Sequence, residues 1–166
     1  MNTTFLEPLA RGLLIVHAVV GFTAVLSCTH HAVYSVLSIH GRKRASQLLR
    51  FGWIAPLALC AQVLLGVLIY PTYRVRIRGG HFDREGLQWL SQLFDLKEHA
   101  AGLALVLMLS AALAGKAFAR DDALTQVEKI RVSRGIAALS VSGSALVWVA
   151  ALIGLYITAH HSIGTP

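Results

Sequence analysis

The sequence predicts an all-α integral membrane protein: one four-helix up-down bundle over residues 1–166, with a long outer loop between helices two and three. Three observations predict it. The chain is 55% hydrophobic and only 14% charged, where soluble domains carry about 25% charged residues. The apolar residues gather into four runs, each exceeding the roughly 20 residues needed to cross a bilayer. Basic residues collect at the ends of those runs, as they do in membrane helices.

The first run is Leu9 to His40, with Pro8 suited to a helix start and Gly41-Arg42-Lys43-Arg44 closing it. The second covers about 48–70, contains Pro56 and the polar Gln62, and is expected to end at Pro71. About two dozen residues follow. Tyr73, Val75 and Ile77 alternate with Arg74, Arg76 and Arg78, a period of two that predicts an extended strand with one basic edge. Gly79-Gly80 is expected to turn the chain, and Leu87, Trp89, Leu90, Leu93 and Phe94 suggest a short amphipathic helix at the interface. The third membrane helix, about 95–119, is expected to start at Asp95, which has capping-box spacing to Glu98. Thr125 and Glu128 have the same spacing ahead of the fourth helix, about 127–159.

The basic residues set an orientation. The first and third connections hold nine (Arg42, Lys43, Arg44, Arg50, Lys116, Arg120, Lys129, Arg131, Arg134), against six (Arg11, Arg74, Arg76, Arg78, Arg84, Lys97) on the other side. The positive-inside rule then places both termini and the long second connection outside. A bacterial inner-membrane protein with periplasmic termini is the expectation, with no cleavable signal peptide evident. The formal charge of +7 is explained by anionic lipid; no nucleic-acid motif is present. Cys28 and Cys60 lie inside apolar runs and form no Cys-x-x-Cys pattern, so any haem is non-covalent.

The chemistry-bearing residues are histidines. Alternate steps of four and three along the first helix read His17, Gly21, Ala24, Cys28, His31, Ser35, Ser38, one face made only of small residues and histidine. The fourth helix carries a similar line, Ser140, Ser144, Val147, Ala151, Gly154, Thr158, His161, which His160 does not join. At about 1.5 Å per residue, His17, His99 and His161 reach similar heights at the outer end, while His31 lies near mid-membrane. Ionisable residues at such depths are functional candidates. Facing imidazoles in a four-helix bundle suit axial ligation of haem iron. His17 and His99 are the expected ligands, with His161 or His160 as substitutes. Gly21 and Gly102 leave room for the macrocycle, and Arg74, Arg76 and Arg78 stand at the level of its propionates. Against this stand simpler roles: interfacial hydrogen bonding for the outer histidines, helix packing for the small-residue lines, and headgroup binding for the arginines.

The paired histidines His17 and His31 on a small-residue face, with His99 as partner, resemble a ligand helix of the membrane-bound di-haem cytochromes b. The layout is similar to haem-carrying membrane anchors of bacterial dehydrogenases and hydrogenases. The stretch from Tyr70 to Arg78, with Phe82-Asp83 and Lys97-Glu98-His99, also looks like a family of uncharacterised bacterial four-helix membrane proteins. The cytochrome resemblance implies one haem b, with a second only if His30, a non-histidine ligand or another subunit completes the inner layer, since Leu113 stands where a partner of His31 is needed. It implies electron transfer between a quinone pool, with Gln62 as a candidate quinone contact, and an outward-facing redox partner within a larger complex. The alternatives are a cofactor-free accessory or scaffold subunit, and a proton or metal permease using His31 and the cysteines. An enzyme acting alone is not indicated: no H-E-x-x-H, G-x-S-x-G or phosphate loop occurs.

Overall fold

In a computed structural model, which describes residues 7–40, 45–119 and 123–160, the chain folds as an all-α four-helix bundle. A short 3-10 turn, Glu7–Leu9, leads into α1 (Ala10–Ile39), followed by α2 (Ala45–Thr72), a π-helical segment (Tyr73–Phe82), α3 (Gln88–Phe118) and α4 (Gln126–His160). Each of the four rods is long and apolar enough to cross a membrane. α1 packs on α2 and α4, and α3 packs on the same two, so α1 and α3 stand across the bundle from each other.

The packing inverts the pattern of a soluble bundle. Ile15, Val19, Phe22, Leu57, Leu64, Val67, Leu103, Val106, Leu152 and Leu155 all face outward, where lipid rather than water is the favourable neighbour. Small residues lie inside, because van der Waals contact, not hydrophobicity, holds helices together in lipid. One core cluster joins Ala24, Val25, Cys28, Ala55, Leu59, Ala104, Met108 and Val147. Met108 is fully buried because α4 offers it Gly143: a Cβ there would lie 2.8 Å from its Sδ. The small face of α1 points inward as its spacing predicts, with Ala24, Cys28, His31 and Ser35 buried. On α4, Ser140, Ser144 and Val147 do the same. Ser35 Oγ and Ser140 Oγ are 3.1 Å apart, joining the two small faces.

The second connection differs from its sequence reading. α2 ends at Thr72, one residue past Pro71, but the rod does not stop there, and residues 73–78 are not a strand. The rod continues through Pro71 into i→i+5 turns, which a proline favours by removing one rung of the i→i−4 ladder. The buried residues of the segment are Tyr73, Ile77 and Phe82, spaced four and five apart, a π-helical rather than a two-residue repeat. They form a second core with Leu90 and Ile157. The turn falls at Gly86 (φ 72°), not at Gly79-Gly80. α3 begins at Gln88 and absorbs the expected interfacial helix, so Asp95 and Glu98 are interior to it and form no capping box. The box ahead of α4 is formed: the Thr125 N–H donates to Glu128 Oε2 (2.8 Å), and the Glu128 N–H reaches Thr125 Oγ1 (3.4 Å).

Candidate functional site

Interior polar groups form two layers. In the first, His17 of α1 meets Gln62 of α2, with Gln62 Nε2 and His17 Nε2 2.8 Å apart. Each residue is seated on a glycine of the opposite helix. A Cβ on Gly21 would lie 2.9 Å from Gln62 Nε2, and one on Gly66 would lie 3.6 Å from His17 Cε1. Gly21 therefore serves the packing of Gln62. Lys97 of α3 enters the same layer from across the bundle. It lies close enough to His17 to act on it electrostatically. Its Cδ is 3.6 Å from where a Gly154 Cβ would stand, and its ammonium lies 4.4 Å over the Phe94 ring, on which Tyr73 also stacks at 3.8 Å. His17 Nδ1 and Gln62 Oε1 are buried with no hydrogen-bond partner among the described residues.

The second layer is His31, 1% exposed, with Ser35 and Ser140 beside it. Its Nε2 faces α2, 3.2 Å from where a Cβ on Gly52 would be, and its Nδ1 has no partner among the described residues. Neither Gln62, which is engaged with His17, nor Ser110, which faces outward, hydrogen-bonds His31.

The remaining candidates do not converge on His17. His99 is exposed, with its Nδ1 2.7 Å from Asp95 O one turn back on the same helix. Lys97 precedes it by two residues, about 200° around the helix, so the phase that brings Lys97 inward turns His99 out. Gly102 is also exposed, with open space where a Cβ would stand. His160 Nδ1 lies 3.0 Å from Tyr156 O, and because a carbonyl only accepts, that nitrogen carries the proton and donates. The His160 ring packs against Trp89 and Tyr156. His161 lies outside the described residues. Arg74 and Arg76 are exposed on the π-helical segment, and Arg78 pairs with Asp95 at 3.3 Å. No group of three or more His, Cys, Asp or Glu side chains suited to a metal ion occurs among the described residues.

No family model matches this chain, and no curated protein or solved structure matches it. A haem held between His17 and His99 does not fit the described side chains. One ligand atom is engaged by Gln62, the other imidazole faces out, and Lys97 stands on the diagonal. The inward role of Lys97 went unread in the sequence. Its signal is the three-four spacing Leu90, Phe94, Lys97, Ala101, Ala104, Met108, Ala111, Gly115, which marks the inner face of α3 and leaves His99 off it.

Proposed function

We propose that the chain is an accessory subunit of a larger membrane complex, holding no cofactor of its own between α1 and α3, in the bacterial inner membrane with both termini periplasmic. The observation that carries this reading is His30. It is exposed on α1 and lies level with Phe51 of α2, two residues from Trp53, at the edge of the hydrocarbon layer. Its ring stacks on Phe51 of α2 at 5.0 Å, and its Nδ1–H donates to Leu26 O at 2.7 Å. That bond fixes the tautomer and leaves Nε2 as an acceptor with no partner among the described residues. An acceptor left open there is favourable against a donor from another helix. A photo-crosslinking side chain at Phe51 should capture a polypeptide in native membranes, and His30→Leu should weaken the capture. Lipid adducts alone at Phe51, matching those at the outward-facing Leu64, would refute the reading.

A second reading, a b-type cytochrome passing electrons between a quinone pool and an outward-facing partner, keeps one route. α4 packs directly against α1, and this reading takes His161, outside the described residues, as the second ligand of a haem on His17. Here Gln62 would release His17. The absorption spectrum of the protein purified from haem-replete cells separates the two. The first reading expects no Soret band, and a stoichiometric low-spin b-type spectrum lost in His17→Ala would establish the second.

A further inference from the structure

We infer that the cleft beside the end of α2 holds the headgroup of a phospholipid that carries both a phosphate and a primary ammonium, as phosphatidylethanolamine does. The cleft has a volume of about 480 Å³ and is lined by Tyr70, Arg74, Arg78, Gly79 and Asp83. Tyr70, Arg74 and Arg78 follow one another at steps of four. Arg78 is held by Asp95. The Arg74 guanidinium and the Asp83 carboxylate share the cleft, yet no ion pair joins them, and neither side chain has a partner among the described residues. Opposite charges that stand in one cleft without meeting suit a ligand with opposite charges of its own. A phosphate accepts from the Arg74 and Arg78 forks, and an ammonium donates to Asp83.

The position of the cleft argues for lipid as the source. Trp53 near the start of α2 stacks under the Lys116 ammonium at 5.4 Å. Trp89, Tyr156 and His160 cluster at the opposite end of the bundle. Interfacial aromatics mark the two faces of a bilayer. On α2, Trp53 and Tyr70 are about 26 Å apart by helical rise, close to the thickness of the hydrocarbon layer. The cleft therefore opens at headgroup level, and the outward-facing Leu64, Val67 and Leu68 just below it offer a track for acyl chains.

Native mass spectrometry of the full chain, with phosphatidylethanolamine, phosphatidylcholine and phosphatidylglycerol of identical acyl chains, tests this. The ethanolamine lipid should be retained about tenfold better than the choline lipid, whose ammonium has no N–H to donate. Asp83→Asn should abolish that preference, and Arg74→Gln should weaken retention of all three lipids. Both residues are exposed, so folding should survive either change, which melting of the same samples verifies. Equal retention of the ethanolamine and choline lipids by the wild type, or an unchanged preference in Asp83→Asn, would overturn the proposal. Soluble glycerophosphoethanolamine at millimolar concentration should not displace the lipid. Displacement would move the occupant to a free phosphate ester and overturn the lipid assignment.

Discussion

Two glycines of α4, Gly135 and Gly143, should answer the same substitution with opposite signs. At Gly143 a new methyl would lie 2.8 Å from Met108 Sδ, 3.0 Å from its Cγ and 3.4 Å from Leu107 Cβ. Met108 is fully buried, so its chain cannot swing out, and the contacting atoms sit in the middle of it rather than at its tip. Overpacking of this kind costs about 1–3 kcal/mol. At Gly135 a Cβ meets nothing within 4 Å, and replacing glycine by alanine in an open helical position stabilises by about 0.5–1 kcal/mol. Equilibrium unfolding in mixed micelles should therefore separate Gly143→Ala from Gly135→Ala by about 1.5–4 kcal/mol. A cycle with Met108→Ala strengthens the test. That change alone opens a cavity costing about 2–5 kcal/mol. The methyl introduced by Gly143→Ala then has space to occupy, so the double variant should be more stable than the sum by about 0.5–3 kcal/mol. Gly143→Ala as stable as wild type, or strict additivity with Met108→Ala, would refute the packing argument.

The His17–Gln62 contact makes a related prediction. Gln62→Leu should destabilise the bundle by about 1–3 kcal/mol, by stranding His17. Gly21→Ala, which intrudes on Gln62 at 2.9 Å, should be better tolerated once Gln62 is alanine, and equal tolerance in both backgrounds would disprove the interlock. Ser35→Ala and Ser140→Ala should couple by only about 0.6 kcal/mol, because each hydroxyl also reaches a carbonyl on its own helix, His31 O at 2.8 Å and Ile136 O at 2.7 Å. Coupling above about 2 kcal/mol by the same assay would show a larger polar network. In intact cells, and with Cys60 replaced, a cysteine at Gly79 should react with an impermeant thiol reagent and one at Gly41 should not. The reverse result would invert the orientation.

The helices, their order and the inward faces of α1 and α4 were legible in the sequence, because small residues at steps of three and four stand out against Leu, Val and Ile. The segment after Pro71 was not. Residues Tyr73 to Arg78 alternate as a strand does, and only the burial of Phe82 with Tyr73 and Ile77 exposes the wider helical repeat. The phase of α3 was misread for a related reason. An acidic residue three positions before another acidic residue imitates a helix start at Asp95, whereas the helix begins at Gln88. The added turns of helix change which side chains count as terminal, and they turn His99 from an end residue into one on the flank. Spacing along one helix can be read from sequence alone; convergence of two helices needs both phases to be right.

The apolar section between the two polar layers has an electrical consequence. Ala24, Leu59, Ala104, Met108 and Val147 are close-packed between the His17–Gln62–Lys97 layer and the His31–Ser35–Ser140 layer. Along α1 the two histidines are about 21 Å apart by helical rise. A hydrated ion crossing that section would exchange its water for apolar side chains, the Cys28 thiol and the Ser144 hydroxyl, a penalty of many kcal/mol. The bundle thus keeps titratable groups at two depths, separated by a close-packed band of alanine, leucine, valine and methionine.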